Sequence, residues 1–229
     1  MKIALLGYGR MGQATEKIAI ERGHSISAKI DKNNQNETYD ADVAINFSVP
    51  KAAYENITSA IHKKIPVVCG TTGWLDRIDE VETLCKQNDG AFLYASNFSL
   101  GVNLFFELNE KLAEMMQKQP LYTASIEEIH HTQKLDRPSG TAITLAEGIS
   151  SDGNSWHLVE ENGEGVPIRS IRKNEIPGTH TVTHSSGIDE ISITHTAHNR
   201  TGFALGAVLA AEWIQDKKGI FSMRDVLQI

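Results

Sequence analysis

The sequence has little cysteine, no long apolar run and no basic cluster, and each absence narrows the possible functions. Its 229 residues include two cysteines, Cys69 and Cys85, which do not form a Cys-x-x-Cys pair. This argues against a disulfide scaffold or a zinc knuckle and favours free thiols in a reducing compartment, so we expect a cytoplasmic protein. The longest apolar run, 203–211, is far shorter than the ~20 residues of a membrane span. The net charge of −7 argues against nucleic-acid binding, and the glycine-interrupted start is too short for a secretion signal.

A strand, a glycine-rich turn and a helix are predicted at the N-terminus. The apolar residues 2–6 are followed by Gly-Tyr-Gly-Arg-Met-Gly. Gly7 permits a tight turn, Gly9 lets the backbone approach a pyrophosphate, and Gly12 lets the helix lie close to the strand. We therefore predict a dinucleotide-binding loop formed by Gly7, Tyr8, Gly9, Arg10, Met11 and Gly12.

A second predicted strand, 25–30, ends at an acid and a base. Asp31 follows the glycine loop at about the ~20-residue offset of a ribose-binding carboxylate. Lys32 could meet a 2′-phosphate, with help from Arg10. The alternative for Asp31 is an ordinary turn residue at a strand end. An acid beside a base predicts tolerance of both NADH and NADPH.

Strands and helices continue to alternate through the first half of the chain. Strands are predicted at 42–48, 66–69 and 91–95, with helices at 51–63 and 79–87. Ligands of open α/β sheets bind beyond the carboxyl ends of the strands, so the loops that follow should meet at one edge. Each loop alone could be an ordinary turn. Together they add the predicted cofactor contacts Gly70, Thr71, Thr72, Ala95, Ser96, Asn97 and Phe98.

After residue 100 the pattern changes. Residues 100–117 predict a long helix, and 151–165 predict a polar loop or hairpin tip. The apolar face of that helix is predicted at Leu104, Phe105, Leu108, Leu112 and Met115. Three later segments alternate in the manner of antiparallel strands: 168–171, 178–185 and 190–197.

Four histidines are scattered through this half: His180, His184, His195 and His198. They show no metal-ligand spacing, so we interpret them mostly as polar residues on strand faces and predict no metal site. The segment 202–214 is too apolar for an exposed helix, and we predict that it packs back onto the N-terminal domain. We therefore expect a dinucleotide-binding domain, 1–98 plus 201–229, interrupted by a substrate domain, 99–200.

The densest chemistry lies in residues 128–141, Glu-Ile-His-His-Thr-Gln-Lys-Leu-Asp-Arg-Pro-Ser-Gly-Thr. A strand at 125–129 leads into it, and a helix at 141–149 follows, with Ser139 as its N-cap. Backbone N–H groups near Gly140 would point out of the helix start, where a carboxylate or phosphate binds. Singly, a Ser-Gly-Thr turn is usually a cap and a His-His pair is often surface polarity. Together with the ammonium of Lys134, they indicate an active site for a carboxylated substrate.

The chain resembles the 4-hydroxy-tetrahydrodipicolinate reductase (dihydrodipicolinate reductase) family. The resemblance is carried by His-His-x-x-Lys-x-Asp-x-Pro-Ser-Gly-Thr and by residues 7–12, 69–73, 97–103, 190–203 and 223–227. It implies an α/β protein, with a Rossmann-type dinucleotide-binding domain and an inserted α+β domain for substrate binding and oligomerisation. It further implies a homotetramer that reduces a cyclic dicarboxylate with NADH or NADPH, in the diaminopimelate route to lysine.

The resemblance also implies roles for individual residues. His130 is the implied catalytic proton donor and acceptor, and Lys134 the second donor. The implied substrate contacts are His131, Ser139, Gly140, Thr141 and Arg200. Residues 31–40 depart from the family pattern, because they leave no room for the helix and strand that longer members carry there.

Two other classes of protein remain open at this point. One is a different nicotinamide enzyme, such as an amino-acid or sugar dehydrogenase with a similar first domain. The segment 128–141 argues against it, and a substrate panel would decide. The other is a non-catalytic redox sensor that binds a dinucleotide and regulates a partner. It would need a basic or helix-turn-helix module, and the sequence has neither.

Overall fold

The structure is a computed structural model, and it describes residues 1–34, 37–150, 155–161, 163–199 and 201–229. The chain divides into two compact units. The first unit comprises Met1–Leu100 and Thr201–Ile229, and the second comprises Gly101–Arg200.

Strands and helices alternate in the first unit and cluster by type in the second. The strands are β1 (Lys2–Leu6), β2 (Ser25–Ile30), β3 (Val43–Asn46), β4 (Val67–Cys69), β5 (Ala91–Tyr94), β6 (Thr123–His130), β7 (Trp156–Leu158), β8 (Val166–Arg172), β9 (Gly178–Ser185), β10 (Glu190–Ala197) and β11 (Gly219–Phe221). The helices are α1 (Arg10–Glu21), α2 (Pro50–His62), α3 (Ile78–Gln87), α4 (Leu100–Met116), α5 (Gly140–Ile149), α6 (Thr201–Ile214) and α7 (Met223–Leu227). A short 3₁₀ turn, Leu75–Arg77, precedes α3.

The first unit is built on a parallel six-stranded sheet in the order β11-β5-β4-β3-β1-β2. Its central strands β3 and β4 are buried on both faces, as parallel strands covered by helices require, whereas the edge strand β2 is partly polar and exposed. One face buries Leu5 and Leu93 against Ala211 of α6, which packs on this sheet as the sequence predicts. The other face buries Leu6 and Phe92 against α2 and α3. This arrangement confirms the predicted α/β fold and brings the carboxyl ends of the strands to one edge.

The second unit is built on a mixed five-stranded sheet in the order β10-β9-β6-β8-β7. Strand β9 pairs antiparallel with β6 and β10, as its alternating sequence predicts. The apolar face of α5 covers the sheet and packs Leu145 against Ile126, Ile168 and Val182. Because β6 is the central strand, its buried face is flanked by β8 on one side and β9 on the other.

Several predictions for the second half need correction. Strand β8 pairs parallel with β6 and β7, not antiparallel, and β7 lies inside the segment predicted as a loop. The buried face of α4 is also narrower than the predicted apolar face, because Leu104, Leu108 and Met115 are 49, 52 and 61% exposed. Strand β11 was not predicted. Within the part of the chain that the structure describes, no helix is both long and apolar enough to cross a membrane.

Candidate active site

The loops that follow β1, β2 and β3 meet around a cavity of about 410 Å³ in the first unit. The cavity is lined by Gly7, Tyr8, Gly9, Ile30, Asp31, Lys32, Phe47, Ser48, Val49, Ala52 and Asn56. The loops after β4 and β5 adjoin this group, because Ser48 N–H donates to the Thr71 hydroxyl at 2.9 Å and the Phe47 ring packs edge-on against Phe98. All five predicted loops therefore lie together at one edge of the sheet.

The three motif glycines have different surroundings that match their expected uses. Gly7 has a φ of +104°, and a Cβ there would lie 2.2 Å from the Phe47 carbonyl oxygen. At Gly12 a Cβ would lie 2.2 Å from the Gly7 carbonyl oxygen, so only glycine lets α1 begin so close to β1. Gly9 caps α1, and a Cβ there would meet nothing within 4 Å. The space over Gly9 is therefore open for a ligand at the positive end of the helix.

The Tyr8 side chain is tied to the first helix and the second strand. Its hydroxyl donates to Glu16, and Lys29 lies 2.6 Å from the Glu16 carboxylate and 3.3 Å from the Tyr8 hydroxyl. Hydrogen bonds from Lys29 and Tyr8 lower the pKa of Glu16. Tyr8 therefore forms a fixed wall of the cavity, whereas Arg10 is exposed and Met11 half-buried at the start of α1.

Asp31 is both a turn residue and a cavity residue. Its Oδ1 atom accepts the Asn33 N–H at 2.7 Å, and its own N–H donates to Asn34 at 2.7 Å. Asp31 and the neighbouring Lys32 are exposed and line the cavity. The described residues after Lys32, up to Asp40, form neither helix nor strand, in line with the short segment expected there.

The predicted contacts from the last two loops divide into buried and surface residues. Thr71, Ala95 and Phe98 are buried, and a Cβ at Gly70 would lie 2.1 Å from the Phe47 ring. These four positions shape the loops. Thr72 and Ser96 are exposed, and the half-buried Asn97 accepts the Ser99 N–H at 2.9 Å. Contact of these loops with a cofactor stays a prediction.

In the second unit, strand register gathers a polar cluster on the buried face of β6. Glu128 and His130 are two residues apart on this strand and therefore share a face. Glu128 lies directly opposite Ser170 of β8 and His180 of β9. His130 lies opposite Arg172 of β8. Each member of the cluster is thus placed by backbone pairing across three neighbouring strands.

Glu128 is fully buried at the centre of the cluster. Ser139 N–H donates to its two carboxylate oxygens at 3.1 and 3.2 Å, the Ser170 hydroxyl donates to Oε1, and the Arg172 guanidinium lies 3.4 Å away. Burial alone would raise the pKa of Glu128, but the nearby imidazoles of His130 and His180 and the hydrogen bonds from Ser139 and Ser170 lower it far below its usual range. The carboxylate is therefore ionised.

His130 is 6% exposed, and its two ring nitrogens face different surroundings. Nδ1 is enclosed and lies 3.3 Å from Oε2 of Glu128, at ion-pair distance but without an aligned hydrogen bond. Nε2 lies next to Gly178, and a Cβ added at that glycine would be 3.1 Å from Nε2. The ring packs edge-on against His180 at a centroid distance of 4.9 Å.

Burial also affects the neighbouring histidines. It lowers the pKa of His180, which is neutral near pH 7 as a result. His180 and His184 lie on one face of β9, in line with their interpretation as strand-face polar residues, and that face is the buried one. The register of β9 against β6 identifies His180 as part of the cluster, and no local pattern in the sequence could have done so.

The start of α5 lies beside this cluster. Ser139 is its N-cap, as predicted, and its hydroxyl accepts the Ala142 N–H at 3.2 Å and lies 3.2 Å from Nε2 of His180. Ser139 is 2% exposed, so its hydroxyl is committed to the cap, and a direct substrate contact by Ser139 stays a prediction. Gly140 is exposed and Thr141 half-buried, and the N–H groups of both lie in the first helical turn, which has no intrahelical acceptors for them.

Lys134 lies in the turn between β6 and α5. Its ammonium is 2.7 Å from a carboxylate oxygen of Asp136, and the carbonyl of Lys134 accepts from Arg172 at 3.3 Å. Burial would raise the pKa of Asp136, but the bond from Lys134 lowers it. His131 is half-buried. Arg200, the remaining predicted substrate contact, lies outside the described residues.

Glu128, His130 and His180 also have the residue types of metal ligands, with donor atoms within 4.8 Å of one another. The surroundings oppose a cation, because the same carboxylate already faces the Arg172 guanidinium and accepts bonds from Ser139 and Ser170. The cluster is better suited to holding an imidazole than to binding a metal ion. That no metal is used stays a prediction.

Comparison with known proteins places both halves of the chain in one family. The model of the dihydrodipicolinate reductase N-terminus matches residues 1–98, and the model of its C-terminus matches residues 101–227. A curated relative from Christiangramia forsetii, named 4-hydroxy-tetrahydrodipicolinate reductase, is 58% identical and covers 99% of this chain and 98% of its own length. A relative of the same name from Pelagibacter ubique is 36% identical, over 96% of this chain and 94% of its own length.

Solved structures agree at the level of the fold. A dipicolinate-bound dihydrodipicolinate reductase from Paenisporosarcina sp. TG-14 matches with a TM-score of 0.75 at 20% identity, over 97% of both chains. An aspartate dehydrogenase from Thermotoga maritima matches with a TM-score of 0.52 at 15% identity, over 96% of this chain and 99% of its own. The family models and the full-length relatives show that this chain belongs to the dihydrodipicolinate reductase family.

Proposed function

We propose that this protein reduces 4-hydroxy-2,3,4,5-tetrahydrodipicolinate to 2,3,4,5-tetrahydrodipicolinate, with loss of water, in the diaminopimelate route to lysine. One observation carries the proposal. A buried histidine beside a carboxylate, a lysine and the N-terminus of a helix all lie within residues 128–141, in a chain whose two halves match this family. Proton donors beside a carboxylate site are what this reduction requires.

The first unit has the features that a nicotinamide dinucleotide needs. The open space over Gly9 and the start of α1 would hold the pyrophosphate, and Asp31 would accept hydrogen bonds from the adenosine ribose. Lys32, which lines the same cavity, would meet the 2′-phosphate of NADPH. When bound, NADH or NADPH supplies the hydride.

In the second unit, His130 is the proposed catalytic acid. Addition of a hydride at C4 of the dehydrated, conjugated ring leaves negative charge toward C3 and the ring nitrogen. A proton delivered from Nε2 of His130 neutralises that charge, and general acid catalysis of this kind is typically worth ~10²–10⁴-fold. Lys134 is the proposed second donor, which stabilises the same charge through its ammonium group.

The start of α5 is the proposed carboxylate site. Its free N–H groups and the positive end of the helix dipole favour an anion, and the Thr141 hydroxyl is a further donor. His131, Ser139, Gly140 and Arg200 complete the proposed substrate contacts. Dipicolinate bound to the Paenisporosarcina enzyme is a dicarboxylate of the same kind as the proposed substrate.

The roles of the two domains, the number of subunits and the location of the protein are also part of the proposal. Residues 1–98 and 201–229 would bind the dinucleotide, and 99–200 would bind substrate and join the subunits of a homotetramer in the cytoplasm. Free, buried thiols at Cys69 and Cys85 suit a reducing compartment. Light scattering on the purified protein would measure the number of subunits.

A coupled assay tests the proposed function directly. The substrate is generated in place by a synthase that condenses pyruvate with aspartate semialdehyde, and loss of absorbance at 340 nm follows NADH or NADPH. We expect turnover with both cofactors. If a folded protein that binds the dinucleotide turns over the substrate with neither NADH nor NADPH, the proposal is rejected. A panel of amino acids and sugars would then test the other dehydrogenase activities.

A further inference from the structure

The buried carboxylate of Glu128 lies beside His130 and accepts a hydrogen bond from Ser139 at the start of α5. We propose that Glu128 is a positioning residue, which keeps the Nδ1 proton of His130 directed inward and Nε2 free for the substrate, and which fixes the start of α5. This inference rests on the proposed function, because it assigns a role in that reaction. It adds to that function a group that does not itself touch the substrate.

The charge of Glu128 is costly to bury. An ionised carboxylate is unfavourable inside a protein unless charges and hydrogen bonds compensate for it. Glu128 is compensated by Arg172, by the Ser170 hydroxyl and by the Ser139 N–H. A hydrophobic residue would fill the centre of the sheet without any of these partners. The charge therefore requires an explanation other than packing.

Glu128 also faces one nitrogen of the His130 ring and not the other. Neutral imidazole carries one N–H, and the hydrogen bond available to one nitrogen decides which of the two is protonated. Oε2 of Glu128 lies 3.3 Å from the enclosed Nδ1. Because a carboxylate can only accept hydrogen bonds, its position favours the tautomer with a proton on Nδ1 over the tautomer with a lone pair there. Nε2 is left as the nitrogen that exchanges protons with the substrate.

Glu128 also links His130 to the start of α5, the proposed site for the substrate carboxylate. The Ser139 N–H lies just before the first residue of α5, and it is bound by the same carboxylate that faces His130. The Ser139 hydroxyl in turn lies 3.2 Å from His180, whose ring packs against that of His130. One buried anion therefore sets the position of the proton donor relative to the helix start.

The chain offers a matched control one residue away. Glu127 lies on the same strand with its side chain 46% exposed, on the opposite face, and its partner is Arg169 at 4.0 Å. Glu128→Gln and Glu127→Gln make the same chemical change on the two faces of β6. Both are compared with the wild type for thermal unfolding, NADH affinity, kcat and KM.

We expect Glu128→Gln to lower kcat by more than about tenfold. This loss should be smaller than the loss of the general acid itself, which is worth ~10²–10⁴-fold. KM should rise as well, because the start of α5 loses its anchor, whereas NADH affinity stays unchanged. Glu127→Gln should leave all four quantities near wild type. A folded Glu128→Gln protein with kcat within about twofold of wild type would overturn the inference.

A double-mutant cycle separates positioning from general destabilisation. If Glu128 acts on the proton transfer through His130, then Glu128→Gln adds little to the kcat loss in a His130→Ala background. Equal losses of kcat in both backgrounds would contradict that mechanism. Should Glu128→Gln fail to fold, Ser170→Ala takes its place in the cycle, since it removes one donor to the carboxylate and keeps every charge.

A readout that is independent of turnover keeps this inference separate from the proposed function. The ¹⁵N chemical shifts of the His130 ring distinguish a protonated Nδ1 from a protonated Nε2. We expect the Nδ1–H form in the wild type and a shift toward the other form in Glu128→Gln. Identical ring shifts in both proteins would overturn the positioning role. A wild type with the expected shifts but no turnover would instead reject the proposed function alone.

Discussion

The cavity of the first unit and the polar cluster of the second are built in opposite ways. The cavity is formed largely by backbone at the ends of parallel strands, where Gly7 and Gly12 allow close packing and Gly9 leaves room for a ligand. The cluster is formed by side chains that meet only because β6, β8 and β9 pair in one register. A backbone site tolerates many changes around it but no added Cβ. A side-chain site depends on each of its charges.

The largest expected effect is on the side-chain site. His130→Ala or His130→Gln should lower kcat by two or more orders of magnitude, because general acid catalysis is worth ~10²–10⁴-fold. NADH affinity should be almost unchanged, since the cofactor cavity is lined by residues of the first unit. Steady-state kinetics and calorimetric titration with NADH measure the two quantities. His62→Gln, at the exposed end of α2, is the control, and a His130 variant with near-normal kcat would remove it from the acid role.

The next effect is on the backbone site. Gly9→Ala should leave thermal stability near wild type, because its Cβ would enter open space. The same Cβ would occupy the volume proposed for the pyrophosphate, so NADH and NADPH should both bind at least about tenfold more weakly, a loss of ~1.4 kcal/mol or more. Gly187→Ala, whose Cβ also meets nothing within 4 Å, is the matched control. Equal dinucleotide affinities for the two variants would show that the cofactor does not approach Gly9.

Thr141→Val tests whether the start of α5 binds the substrate carboxylate. The change removes a hydroxyl donor and nearly keeps the volume, so we expect mainly a raised KM, from a loss of ~1–3 kcal/mol. Thr144→Val, later in the same helix, should have little effect on KM. If KM is the same for the wild type and Thr141→Val, then Thr141 serves only the helix start.

The smallest expected effect concerns Asp31 and Lys32. Lys32→Ala should weaken NADPH far more than NADH, and the difference should shrink with salt, since exposed charges are screened over ~10 Å at 0.1 M. Asp31→Ala should weaken NADH more than NADPH. The wild type should therefore use both cofactors within about two orders of magnitude in kcat/KM, equivalent to ~2.7 kcal/mol. With Lys86→Ala as a surface control, parallel losses for both cofactors would show that neither residue reads the 2′ position.

Features that depend on neighbouring residues could be predicted from the sequence, whereas features that depend on strand pairing could not. The bounds of β1 and β2 and the cap at Ser139 follow from local patterns, and the structure reproduces them. The residues Glu128, Ser170, Arg172 and His180 are distant in sequence and meet only through strand pairing. The parallel pairing of β8 was missed for the same reason, because alternation of side chains does not reveal the direction of the neighbouring strand. The exposed side of α4 shows that apolar spacing overstates burial.

The pairing of β6 has a consequence for how the second unit folds. Ile126, Glu128 and His130 share its buried face, and Glu127 lies on the other. A slip of one residue would turn all of these side chains to opposite faces. A slip in one direction would put Ile129 against the donors around Glu128 and bury Glu127 in the apolar place of Ile126; a slip in the other would put Glu127 against the donors but Ile129 in the place of His130. A slip of one residue in either direction therefore separates the carboxylate or the histidine from its partners, and we expect chains that complete folding to be those in which the proton donor is already in place.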